Sequence, residues 1–150
     1  MREVPTQVET LSNIKAISSG HHSAALTHEG TLFFWGTGVF GSLFEPKLVV
    51  DLDIVDMSIG GCFGAALDRD GLVWTWGSNS NGELGLGDFE PRPYPQPVSH
   101  LKNKPVQKIA CGGAFAIAIG KSRDSAYMQK RNKEQKSQQS NQISQVDLSH

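Results

Sequence analysis

Small apolar residues, a short polar turn and an aromatic-rich run follow one another twice along this chain. From Ala24 the order reads AALTHEGTLFFWGTGVFG, and from Ala65 it reads AALDRDGLVWTWGSNSNG. In the second copy Ala65 to Leu67 leads into Asp68, Arg69, Asp70 and Gly71, and the apolar pattern resumes from Leu72 to Trp76. This predicts a short strand, a polar turn whose glycine can adopt a left-handed conformation, and a second, aromatic strand, which together make a β-hairpin. Thr27 to Gly30 predicts the same turn before Leu32 to Trp35. Gly64, Ala65 and Ala66 suit strands packed closely near an axis, whereas Phe34, Trp35, Trp74 and Trp76 are large enough to fill the space between stacked sheets.

An offset of 41 residues superposes Gly30 on Gly71, Trp35 on Trp76, Gly36 on Gly77 and Gly41 on Gly82, which identifies an internal repeat. A second landmark precedes each copy and occurs a third time: NIKAISSG from Asn13, DIVDMSIGG from Asp53 and KPVQKIACGG from Lys104. Before each of these stand a proline, a valine and a leucine at three-residue steps: Pro5, Val8, Leu11; Pro46, Val49, Leu52; Pro95, Val98, Leu101. The first residues therefore read as the end of a repeat. Gly20 and Gly60 are 40 residues apart, Gly60 and Gly112 are 52 apart, and the difference falls after the Trp-Gly pair, where the first copy lacks the Leu-Gly-Leu-Gly turn around Gly85 and Gly87.

Composition sets the limits of this pattern. All 16 glycines of the 150 residues lie between Gly20 and Gly120. Residues 1–120 carry 8 Lys+Arg against 12 Asp+Glu, and residues 121–150 carry 6 against 3, so a boundary is expected near residue 120. The expected organisation is a repeat region over 1–120 and a polar, mildly basic tail over 121–150, disordered or weakly helical from about Ser125 to Gln139. Lys130, Arg131, Lys133 and Lys136 in that tail read as solvated charge rather than a nuclear-targeting or nucleic-acid site. Two cysteines are too few for a disulfide scaffold, no signal stretch or membrane span is visible, and the net charge of -1 gives no general reason to expect nucleic acid as a partner; an intracellular protein is expected.

The IACGG of Ile109 to Gly113, the AALDRDGLVWTWGSNSNGELGLG of Ala65 to Gly87 and the following Pro97-Val98 resemble the repeat of the regulator of chromosome condensation family. The resemblance covers about residues 5 to 120 and rests on Gly71, Trp76, Gly77, Asn79, Gly82, Leu84, Gly85 and Gly87. It implies an all-β fold: part of a seven-bladed β-propeller with about two complete repeats. Phe63 and Phe115 depart from the histidine usual in the family, which His22 keeps in a first unit one residue shorter. Gly30, Trp35, Gly36, Gly41, Gly60 and Gly112 join the residues above as structural markers of the repeat.

Several chemical patterns dissolve into this repeat. Gly36, Gly38 and Gly41 spell GxGxxG, but a dinucleotide site needs a helix after the glycines, and Phe44, Glu45 and Pro46 follow too soon. His21 and His22 lack further ligands at metal-binding spacing and read as packing or turn residues. Cys62 and Cys111 occupy nonequivalent positions and read as small buried side chains. Asp68 and Asp70 belong to the hairpin turn, and Asp51, Asp53 and Asp56 miss the calcium-loop pattern. No catalytic, cofactor or metal site is predicted.

A ring of seven such units would need about 350 residues, so strand edges and apolar faces are expected to stay open and to favour association with a protein partner or with another copy. The expected function is a noncatalytic protein-interaction or scaffold module. Contact residues are sought on the connecting loops: Ser78, Asn79, Asn81, Glu83, Asp88 and Glu90. Participation in guanine-nucleotide exchange on a small GTPase is the alternative that the resemblance implies, and a truncated fragment without independent function is a third reading.

Overall fold

The computed structural model describes residues 4–104 and 106–120. Its first unit, to Gly120, is all-β apart from a single 3-10 turn at Ser99–Leu101. The tail expectations for 121–150 fall outside the described residues. Among the described residues no helix is long and apolar enough to cross a membrane.

Three antiparallel sheets follow the repeat. The first contains β1 (Ile14–Ser19), β2 (His22–Thr27), β3 (Thr31–Gly38) and β4 (Gly41–Asp51) in sequential order. The second repeats this order with β5 (Ile54–Ile59), β6 (Phe63–Asp68), β7 (Val73–Gly77) and β8 (Arg92–Pro97). The third pairs β9 (Val106–Cys111) with β10 (Ala116–Gly120). The apparent nucleotide fingerprint is a tight hairpin: Gly38 ends β3, Gly41 opens β4, and the two pair with each other.

The predicted hairpins form, with β2, β3 and β6 wider than the apolar runs alone suggested and β7 shifted one residue along. Asp68 closes the β6–β7 turn by accepting the Leu72 N–H at 2.9 Å and the Trp74 indole N–H at 2.9 Å. Thr27 does the same work one repeat earlier, its hydroxyl accepting the Thr31 N–H at 3.1 Å. Asn13 and Asp53 enter β1 and β5 with positive φ and pair with Glu29 and Arg69 respectively, so chemically different pairs hold the same turn.

Apolar burial occurs between sheets. Ala24, Leu26, Leu32 and Phe34 of the first sheet pack on Ile54, Met57, Ile59 and Trp76 of the second. Ala65, Leu67, Val73 and Val98 of the second pack in turn on Val106 and Ile109. Trp76 is fully buried and stacks at 6.4 Å on Phe34, whereas its counterpart Trp35, with no described sheet beyond it, is only half-buried. Gly64 stands opposite Trp76 in the ladder, and a Cβ there would lie 2.4 Å from the indole, so only glycine admits this packing.

The sheets are also joined by backbone. The His21 N–H donates to the Gly61 carbonyl at 2.9 Å, and the Gly61 N–H donates to the Gly113 carbonyl at 3.0 Å. Gly20 permits the first approach, since a Cβ on it would lie 1.9 Å from the Gly60 oxygen. Beside these links the Ser18 hydroxyl accepts the Ile59 N–H at 3.0 Å and the Ser58 hydroxyl accepts the Cys111 N–H at 2.9 Å. Each sheet is thus attached to the next by the same two bonds. The third landmark carries Ala110 where the earlier ones carry Ser18 and Ser58, and a Cβ on Gly113 would meet no described atom within 4 Å.

Candidate functional site

The longest connection, between β7 and β8, contains all six residues expected as partner contacts. Gly77 ends β7 with φ of 110° and turns the chain into this loop; Gly82, Gly85 and Gly87 provide further left-handed turns within it. Gly30 and Gly71 close the two equivalent hairpins, Gly36 matches Gly77, and Gly60 and Gly112 lie at the junctions between sheets.

Asn79 organises the loop from inside. Its side-chain N–H groups donate to the Asp88 carbonyl at 2.9 Å, the Asp88 carboxylate at 3.1 Å and the Glu90 carbonyl at 3.1 Å, while its oxygen accepts the Leu84 N–H at 3.0 Å. Asn79 is 1% exposed, which corrects its expected place on the contact surface: a buried amide satisfies itself within the loop and has no capacity left for a partner. The signal was available in the sequence, because the Asn79-to-Asp88 span is rich in glycine turns that leave backbone groups for a side chain to satisfy.

The other five divide by geometry. Asn81 and Glu90 are exposed, Ser78, Glu83 and Asp88 are half-buried, and Glu83 accepts the Asn81 N–H at 2.8 Å. Asp88 accepts the Glu90 N–H and pairs with Arg92 at 2.7 Å; these contacts hold its carboxyl below the usual aspartate range, the Glu90 hydrogen bond foremost. The residues missed from sequence are aromatic: Phe89 is 70% exposed at the loop tip and Tyr94 is exposed on β8. The Phe89 ring lies beside Gly82, which Asn81 and Glu83 flank in sequence, so an exposed aromatic stands next to acidic side chains in this loop.

A second feature lies behind this loop. An apolar groove of about 340 Å³ runs between the second sheet and β10, bounded by Ala65, Val73, Thr75, Leu84, Ala116 and Ala118. Phe115 and Ile117 also border it, and with Ile119 they are 54 to 60% exposed.

The remaining titratable groups are structural in placement. His22 is buried against Phe34 and Phe40, neither ring nitrogen has a hydrogen-bond partner among the described residues, and burial followed by the neighbouring His21 charge lowers its pKa to about 4. Cys62 and Cys111, read from the sequence as small buried side chains, are free and half-buried. The Cys62 sulfur lies 2.9 Å from His21 Nδ1, and burial raises the pKa of Cys111. No group of three or more His, Cys, Asp or Glu side chains placed to hold a metal occurs among the described residues.

Comparisons agree with this architecture. Two family models, both described as the regulator of chromosome condensation (RCC1) repeat, match residues 70–119 and 54–83. The human protein named probable E3 ubiquitin-protein ligase HERC6 is 35% identical over 133 residues, covering 78% of this chain and 13% of that protein. The Arabidopsis thaliana mitochondrial RCC1 domain-containing protein RUG3 is 36% identical over 124 residues, covering 71% and 28% respectively. Among solved structures, human WBSCR16 aligns with a TM-score of 0.69 at 22% identity, covering 78% of this chain and 33% of that one. Saccharomyces cerevisiae Prp20p, studied for binding to Gsp1p and histones, aligns with a TM-score of 0.65 at 20% identity, covering 83% and 34%. The chain therefore spans about a third or less of each protein it resembles.

Proposed function

Because this chain belongs to the regulator of chromosome condensation (RCC1) repeat family, we propose that it is a noncatalytic protein-interaction module, a segment of a larger β-propeller surface. The observation that carries this reading is the loop between β7 and β8: Asn79 fixes it from within, while Phe89, Asn81 and Glu90 stand outside. A preorganised loop gives up little conformational entropy on binding, and an exposed aromatic supplies contact area. Glu83 and Glu90 add negative charge, so the partner presents an apolar depression with basic residues around it. The repeat stretch is shared with proteins named as ubiquitin ligases and with a mitochondrial RCC1 domain-containing protein, which supports recognition rather than one fixed chemistry.

Similarity to Prp20p, which binds Gsp1p, makes small GTPases the first partners to test. Binding and nucleotide release are to be measured together on a GTPase panel, with the wild-type chain and a Phe89→Ala, Glu90→Lys variant. The expected result is saturable binding of a partner that the variant weakens at least about tenfold, a loss of about 1.4 kcal/mol, with nucleotide release unchanged. Accelerated release would replace the module reading with exchange. Equal binding by both chains would remove the loop from the contact surface.

A further inference from the structure

We propose that β10 is an acceptor edge for an extended segment from outside these 150 residues, one that carries aromatic side chains at alternate positions and completes the third sheet as an added strand. This deepens the interaction-module reading and rests on it. The register supplies the argument. Gly64 and Ala66 on β6 face Ile59 and Met57 of β5 on one side and Trp76 and Trp74 of β7 on the other. One repeat later, Ala116 and Ala118 face Cys111 and Ile109 of β9 in the same register, and the opposite edge of β10 pairs with no described strand.

The groove beside that edge corresponds to the seat occupied by Trp76 one repeat earlier. Trp76 packs with Ala24, Leu32 and Phe34. The offset of 41 residues carries those positions to Ala65, Val73 and Thr75, and these three line the groove next to β10. The matching space is therefore filled by an aromatic strand in one place and open in the other. Residues 121–150 contain Tyr127 as their single aromatic residue, so their sequence does not provide two aromatics at alternate positions. Edge pairing supplies backbone hydrogen bonds, and alternate side chains entering the groove provide selectivity. An aromatic opposite Ala116 and another opposite Ala118 define the occupant.

The probe is a synthetic peptide with the sequence of Gly71–Ser78, GLVWTWGS, extended by lysines for solubility. Titrated into the full chain, it is expected to bind saturably and to slow hydrogen exchange at β10 amides at least about tenfold. A peptide with both tryptophans changed to alanine is expected to lose that protection, and Ala118→Glu is expected to weaken peptide binding at least about tenfold while exchange in the first two sheets stays unchanged. Absence of binding, equal protection by the alanine peptide, or β10 amides already protected in a self-associated chain would each overturn the proposal. Phe89→Ala is expected to leave peptide binding intact, so failure at this edge is distinguishable from failure of the loop surface.

Discussion

Trp76→Ala is expected to cost about 3–5 kcal/mol and to uncouple the first sheet from the second. The indole fills the centre of their shared core, is stacked on Phe34, and sits over a position kept as glycine to admit it. A domain of this size has a total stability of about 5–15 kcal/mol, so the loss leaves a large fraction of molecules unfolded near physiological temperature. Trp35→Ala removes the same side chain from the equivalent strand position, yet Trp35 is half-buried and is expected to cost well below half as much. Urea titration of both variants measures the difference. Equal losses would contradict a core built between sheets.

His22→Phe is expected to stabilise the chain, by about 1–2 kcal/mol near neutral pH, because it removes a buried ring with no hydrogen-bond partner among the described residues. The repeat itself provides the precedent, with Phe63 and Phe115 at the matching positions and the glycine landmarks Gly60 and Gly112 beside their rings. The wild-type histidine also sets an acid limit. Its folded pKa, lowered to about 4, lies below the unfolded value of about 6.5. The unfolded chain therefore takes up the proton first, and His22's contribution to stability is fully present above about pH 6.5 and is lost as pH falls through about 4. Thermal unfolding across this window is expected to show a shallower acid decline in His22→Phe than in wild type. Parallel declines would assign the acid sensitivity to other groups.

Much of the fold was legible because each repeat states its hairpin in local chemistry: small apolar residues, a polar turn closed by glycine, then aromatics. The outer strands were not. Pro46 lies within β4, and Pro93, Pro95 and Pro97 interrupt β8, residues that lower strand propensity but are tolerated at an edge where a missing N–H breaks no ladder bond. The 41-residue offset also revealed the Trp35 and Trp76 equivalence without showing that one is half-buried and the other fully buried, since that depends on which side has a neighbouring sheet. Within the loop between β7 and β8, Asn79 was expected outside and is buried, while the exposed Phe89 was not singled out. A polar side chain was drawn inward by unpaired backbone groups, and an apolar one was left outside by glycine-rich turns. The glycine-rich span signals the first of these, but no local pattern reports the second.

Native-state hydrogen exchange resolved to single amides tests the central claim most directly, namely that one inter-sheet bond recurs along the chain and, among the described residues, is not continued beyond the third sheet. The His21 and Gly61 amides donate across successive junctions, whereas the N–H of Gly113, at the same position, has no backbone partner among the described residues. The predicted result is exchange at His21 and Gly61 at least about 100-fold slower than at Gly113, after correction for intrinsic rates. Protection at Gly113 equal to that at Gly61 would show the third junction already closed and would contradict the account.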